Sequence, residues 1–376
     1  MSDKMKIMHV VTSLGSGGAE GMLYRLIKSS NESIEHCVIC LDKGGKYVSL
    51  LRKEGIDVLV ANFKFISLPI RLLRIYQFSK LKRNQGYRII TSWLYHADFV
   101  AWFIKLICGF EGLVWNIRNS KLQRGRLSIK NWLFLKILSK LSHIRVNNII
   151  SCSTSAGEIH KNIGYRKDIF KIIPNGYFLN KNSIFDKETK NYDGVFRICM
   201  VARWHPKKDF ENLFQALNSL KSKNVMFNLT IAGNRTGPDN KELVELLKKY
   251  EIYDFCSLLG EVNNIQKVYK NSHVNVLSSA YGEAFPNVLV ESMLNFTPCI
   301  STDVGDSSII LSEVGFVIPI EDSNALADAL TEYRRILRDE NSVYLNYCVK
   351  GHDKVNEEYY IEKIVRKYLN VWESII

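Results

Sequence analysis

Two glutamates eight residues apart bracket the run Glu283-Ala-Phe-Pro-Asn-Val-Leu-Val-Glu291, which follows the strand-like segment HVNVLSS. Pro286 suits a first helical turn, because its missing N–H has no intrahelical partner there in any case. A helix over 287–295 would turn the amides of Asn287, Val288 and Leu289 toward a phosphate, with Phe285 just before it. Glu283 then stands in the loop and Glu291 about one turn in, so the pair serves two parts of one ligand rather than a hydrolase dyad. Arg203-x4-Lys208, in MVARWHPKKDFENL, puts two more charges at the carboxyl end of a strand, and Asp209 can cap the helix that follows. Two fixed cations there can hold a pyrophosphate and neutralise a departing nucleoside diphosphate, work that Mg²⁺ does elsewhere. Lys207 is one residue off this pattern and reads as solvated. The segment LGSGGAE supplies Gly17 and Gly18, which let backbone amides approach an anion at a helix start, or merely make a tight turn. His96, in WLYHAD, is the last candidate, against the plainer role of a packing residue. His9, His160 and His205 read as structural.

The elements that must position these residues alternate along the chain. Seven strand-like runs (KIMHVVT, HCVICL, DVLVAN, YRIITSW, LVWNIR, NNIISCS, FKIIPN) precede a polar break ending at Asp193. Six more follow: VFRICMVAR, FNLTIAG, FCSLLG, HVNVLSS, TPCIST and GFVIP. Helical patterns between the strands predict parallel sheets with crossover helices, in which ligands bind at the strands' carboxyl ends. The length of 376 residues suits two domains better than one. The expected division is a first Rossmann-like domain over 1–180, a linker over 181–193, a second such domain over 194–352, and a C-terminal helical segment, 353–376, packing back on the first.

Composition excludes several classes. The apolar fraction of 46% and charged fraction of 24% are globular, and the apolar stretch 99–110 is too short to span a bilayer. The N-terminal apolar run reads as a strand entering a glycine turn rather than a signal peptide. Eight cysteines lie mostly in apolar runs without zinc spacing, which predicts a reducing cytoplasm. The net charge of +13 is localised: between Lys64 and Arg145 sixteen cations face only Asp98 and Glu111. Such a basic segment asks for an anionic partner.

Over essentially its whole length the chain resembles the retaining glycosyltransferases of family 4. Glu283-x7-Glu291 is similar to that family's E-x7-E signature, and Arg203 with Lys208 to its R-x4-K pair. SLGSGGAE resembles the N-terminal glycine loop, IPNGY the turn before the linker, and IAGN the turn after the donor domain's second strand. TSWLYHADFVAW, WNIRNS and GYRKDIFKIIPNG are most similar to members that build bacterial surface polysaccharides and lipopolysaccharide. The resemblance implies the GT-B fold, an α/β arrangement of two doubly wound domains facing a central cleft. It implies Arg203 and Lys208 on the donor diphosphate, Glu291 on the ribose, Glu283 on a sugar hydroxyl and His96 near the anomeric carbon. Gly17 and Gly18 join the donor site, and the turn reaching Val262 receives the base. Ala284 departs from the glycine that often follows the first glutamate there. No nucleophile at the anomeric carbon matches, so front-face attack is expected, without cofactor or metal, from a UDP-linked sugar to a lipid-linked saccharide.

One helix bears on location. At about 100° per residue, Arg126, Lys130, Lys136 and Lys140 share a ~120° arc with Ile129, Leu133 and Ile137. Trp132, Phe134, Leu135, Leu138 and Leu141 are then left to pack on the first sheet. Cations around apolar side chains suit a membrane surface, which predicts peripheral docking on the cytoplasmic leaflet and no nucleic-acid partner. The alternative is a buried helix with a lysine rim. Among other activities, a nicotinamide oxidoreductase lacks its glycine fingerprint and ribose acid here, a non-catalytic membrane protein would not need E-x7-E, and a nucleotide-sugar epimerase of the same architecture is the alternative enzyme.

Overall fold

The computed structural model describes residues 4–15, 17–42, 44–61, 67–120, 128–179 and 185–376. It divides into two compact units, one of Met1–Phe178 with Tyr359–Ile376 and one of Leu179–Glu358.

The first unit contains β1 (Met5–Val11), α1 (Gly18–Ser30), β2 (Ile34–Cys40), α2 (Lys46–Lys53), β3 (Asp57–Val60), α3 (Leu68–Asn84) and β4 (Ile89–Trp93). After them come α4 (Tyr95–Cys108), β5 (Gly112–Ile117), α5 (Ile129–Leu141), β6 (Asn148–Ser151), α6 (Thr154–Ile163) and β7 (Phe170–Ile172). Its seven strands are parallel in the order β3-β2-β1-β4-β5-β6-β7, so the direction of winding reverses between β1 and β4.

The second unit contains β8 (Phe196–Val201), α7 (Phe210–Ser222), β9 (Phe227–Ala232), α8 (Lys241–Lys249), β10 (Cys256–Leu258), α9 (Ile265–Lys270) and β11 (Val274–Leu277). It continues with α10 (Asn287–Leu294), β12 (Cys299–Thr302), α11 (Ser307–Leu311), β13 (Gly315–Ile318), α12 (Ser323–Asp339) and α13 (Asn341–Glu358). The order β10-β9-β8-β11-β12-β13 puts its switch point between β8 and β11. All thirteen strand-like runs read from the sequence contain a strand, and the inner strands of each sheet are largely buried on both faces, as parallel sheets require.

The boundaries differ from those expected. The described part of the supposed linker, 185–193, belongs to the second unit. Phe185 and Tyr192 pack on its core, and the buried Lys190 ammonium donates to Ser272 O at 2.6 Å, Thr297 Oγ1 at 2.8 Å and Tyr269 O at 3.3 Å. Three oxygens thus dock a segment whose composition looks solvated, and burial lowers the lysine's pKa to about 8. At the other end the chain leaves the second unit after Glu358, and only α14 (Ile361–Glu373) packs on the first. Ile361, Ile364, Tyr368 and Trp372 join the first core, while Trp372 Nε1 donates to Thr91 Oγ1 at 2.9 Å and Tyr368 OH to Asn116 Oδ1 at 2.7 Å.

Candidate functional site

The second unit gathers its charged candidates at the switch point. Beyond β8, Arg203 leads into a 3₁₀ turn, Pro206–Lys208, and Asp209 caps α7 by accepting from the Asn212 amide at 3.3 Å. Beyond β11, Ser278 Oγ donates to Lys208 O at 2.9 Å and Asp209 O at 3.0 Å, and the Ala280 amide to Lys207 O at 2.9 Å. The two strand ends are therefore sewn together, which carries Lys208 to the Glu283 loop. Its ammonium lies 2.7 Å from Glu283 Oε1, both side chains being about 11% exposed. Ser279 Oγ donates to the same oxygen at 3.0 Å. Burial pushes the Glu283 carboxyl up, but Lys208 and Lys207 with these hydrogen bonds outweigh it and hold the pKa below the ordinary carboxylate value.

Lys207 is not solvated as the spacing suggested. Its side chain is 13% exposed, with its ammonium held 3.3 Å from Gly282 O and 3.8 Å from Glu283 Oε1. Arg203 remains exposed and forms no ion pair among the described residues.

Helix α10 opens at Asn287 as expected, with Pro286 as its N-cap, and ends at Leu294. Of the three amides expected to face a phosphate, that of Leu289 instead donates to Pro286 O at 3.1 Å, since the helix opens with a tightened turn. Asn287 and Val288 are half-buried, and Phe285 is buried beside them. Glu291 is half-buried one turn further on, with Tyr269 OH 3.4 Å from its Oε2. The turn before α11 braces this loop. The Asp306 amide donates to Ala284 O at 3.0 Å, and a Cβ on Gly305 (φ +60°) would stand 2.5 Å from Ala284 O and 2.8 Å from Glu283 O. Ser279 and Gly305 escaped the sequence reading. The serines ending HVNVLSS and the glycine of TDVGDS were the available signals.

Val262 is half-buried in the turn after β10, where Asn234 Nδ2 donates to Glu261 Oε1 at 2.7 Å. Gly17, Gly18 and His96 stand in the first unit. Gly17 caps α1 with an extended backbone, and Glu20 fills the space beside it. His96, exposed at the start of α4, stacks on Phe134 of α5 with ring centroids 5.3 Å apart, a packing contact between the two helices.

With this geometry in view, residues 181–343 match the family model described as glycosyl transferases group 1. The chain is 25% identical over 316 residues to EpsF of Bacillus subtilis, named as a glycosyltransferase, with 80% of each chain covered. It is 23% identical to the capsular polysaccharide biosynthesis glycosyltransferase CapH of Staphylococcus aureus, covering 81% of this chain and 83% of that one. Among solved structures, Anabaena HepE in complex with UDP and glucose superposes with a TM-score of 0.83 at 19% identity, covering 98% of this chain and all of that one. The fold is GT-B, two parallel-sheet Rossmann-like domains. The family match and the relatives together indicate a glycosyltransferase.

The remaining candidates lie on α5. Lys130, Lys136 and Lys140 are exposed there, while Arg126 falls outside the described residues. Leu135 and Leu138 are buried as expected, and Trp132, Phe134 and Leu141 half-buried. Three cations of the basic segment point elsewhere: Arg71, Lys82 and Lys105 are buried. Lys105 donates to Arg145 O and Asn147 Oδ1, each at 2.8 Å. No described helix is long and apolar enough to cross a membrane.

Proposed function

We propose that the chain is a retaining, metal-independent glycosyltransferase that moves a sugar from a UDP-linked donor to a hydroxyl of a lipid-linked saccharide during bacterial surface-glycan assembly. The observation that carries this reading is the Lys208–Glu283 contact, beside an exposed Arg203 and the start of α10. The arriving diphosphate draws on Lys208 and Arg203, while a donor-sugar hydroxyl donates to the Glu283 carboxylate that Lys208 partly releases. Glu291 takes the ribose, the α10 start with Phe285, Asn287 and Val288 lines the phosphates, and the Val262 turn meets the base. As the bond from the anomeric carbon to the phosphate oxygen breaks, the acceptor oxygen attaches on the same face and its proton passes to the leaving phosphate. Preorganised positive potential is the term that lowers such a barrier. The UDP in the HepE structure and the polysaccharide role named for CapH support the donor and the pathway class.

The test is transfer from a panel of UDP-sugars to lipid-linked saccharides in the presence of EDTA. Activity that collapses on chelation and returns with Mn²⁺ overturns the metal-independent reading. An isomerised UDP-sugar formed without acceptor overturns transfer in favour of epimerisation.

A further inference from the structure

We infer that the outer face of α3, α4 and α5 is a docking surface for an anionic lipid bilayer. Its purpose rests on the lipid-linked acceptor proposed above, although its geometry stands independently. Helix α3 is built inside out. The positions it buries are Arg71, Ile75, Ser79 and Lys82, whereas Leu68, Ile70, Leu72, Leu73 and Leu81 are all more than half exposed. A helix on a watered surface shows the reverse pattern. Its buried Lys82 is compensated by Asp57 at 2.7 Å, so the inversion is accommodated inside without freeing the leucines.

The neighbouring helices continue the stripe. On α4, Phe103, Leu106 and Ile107 are exposed, and Phe99 bridges Phe103 and Phe134 of α5 at centroid distances of 5.0 and 5.8 Å. On α5, Ile129, Leu133 and Ile137 follow one another at one-turn intervals with 86%, 60% and 44% exposure. Helix α3 packs on α4 and α4 on α5, so the exposed apolar side chains lie on consecutive neighbouring helices. An apolar area of this extent on a solvated surface marks an interaction site.

Charge selects the occupant. Arg74, Lys80, Lys130 and Lys140 are exposed among these side chains, while the ammonium of Lys136 is held by Ile163 O at 2.7 Å. The segment's two acids do not oppose them: Asp98 is buried with its carboxyl pushed well above the usual range by desolvation, and Glu111 is engaged by Arg83 at 3.0 Å. A second copy would present the same positive face and be repelled. A nucleic acid would leave the leucines unused. An anionic bilayer takes both, with apolar side chains in the acyl boundary and lysine stems reaching the headgroups.

Sedimentation of the full chain with phosphatidylcholine vesicles, with and without phosphatidylglycerol, tests this. Binding should require phosphatidylglycerol and weaken with salt. Leu72→Gln/Leu73→Gln and Lys130→Glu/Lys140→Glu should each lower the partition coefficient by about tenfold or more. Both variants should keep the wild-type unfolding midpoint and UDP affinity. Equal partitioning of wild type and both variants overturns the surface, as does equal binding to neutral vesicles. Lipid-independent self-association, lost in Leu72→Gln/Leu73→Gln, overturns it in favour of a second copy. Vesicle binding without any sugar transfer would instead remove the enzymatic reading and leave the surface standing.

Discussion

Helices α1 and α10 both begin where a parallel strand ends, and both offer backbone amides to an anion, yet they stand in opposite states. The first turn of α1 carries Glu20, whose Oε1 accepts from Ser13 Oγ at 2.7 Å while its other oxygen lies against Gly17. The positive end of that helix already faces a carboxylate. The first turn of α10 has no acid, and the nearest carboxylate, Glu283, is held by Lys208 and Lys207. Glycines before a helix are therefore not sufficient for an anion site. What separates the two ends is whether the local negative charge is neutralised by fixed cations.

The largest effect should come from removing that neutralisation. Lys208→Ala should lower transfer by roughly 10²-fold or more, at about 3 kcal/mol for a lost charged donor. It should also destabilise the fold by ~3–5 kcal/mol, because the buried Glu283 loses the counter-ion that lies 2.7 Å from its Oε1. The double variant Lys208→Ala/Glu283→Gln separates the two consequences: thermal unfolding should recover toward wild type while kcat does not. Recovery of both would reduce the pair to a structural salt bridge. Glu291→Gln should weaken UDP binding measured by calorimetry, whereas Glu283→Gln should leave UDP binding nearly intact and impair transfer.

A smaller effect tests the brace behind Glu283. Gly305→Ala introduces a side chain at φ +60° and a Cβ 2.5 Å from Ala284 O. Strain of about 1–2 kcal/mol in stability is expected, with roughly tenfold slower transfer as the Glu283 loop shifts. The pH dependence has a fixed sign. Since Glu283's folded pKa lies below its ordinary value, its contribution is complete above the unfolded pKa of about 4.3 and lost as pH falls through the folded one. Wild-type unfolding free energy should drop across that acid window more than that of Glu283→Gln.

The strands and the charged site were legible because both depend on local pattern. Buried β-branched runs announce parallel strands, and Lys208 and Glu283, just beyond β8 and β11, meet because those strands pair side by side. Lys190 was not legible: its partners lie about 80 to 107 residues away in sequence, so nothing near it reveals that a polar segment is docked. The same holds for Lys207, held by Gly282 O and Glu283 Oε1 from a distant stretch of the chain. Helix α3 shows the converse, since its leucines were readable as apolar but only the fold tells which of them meet solvent.

The smallest expected effect bears directly on the two helix starts. If Gly17 and Gly18 engage the donor, they do so only after the Glu20 carboxylate gives way, so Glu20 opposes binding. Glu20→Gln keeps the shape and the bond from Ser13 while removing the charge from the positive end of α1. A charge at a helix start is worth about 0.3–1 kcal/mol, so the donor KM should fall roughly two- to fivefold with kcat little changed. The glutamine cannot repel a diphosphate, and Arg203 and Lys208 are untouched by the change. Steady-state kinetics at low ionic strength gives the clearest reading, because salt screens an effect of this size. An unchanged KM would assign the glycine loop to the architecture of the first unit alone and leave α10 as the anion-binding helix.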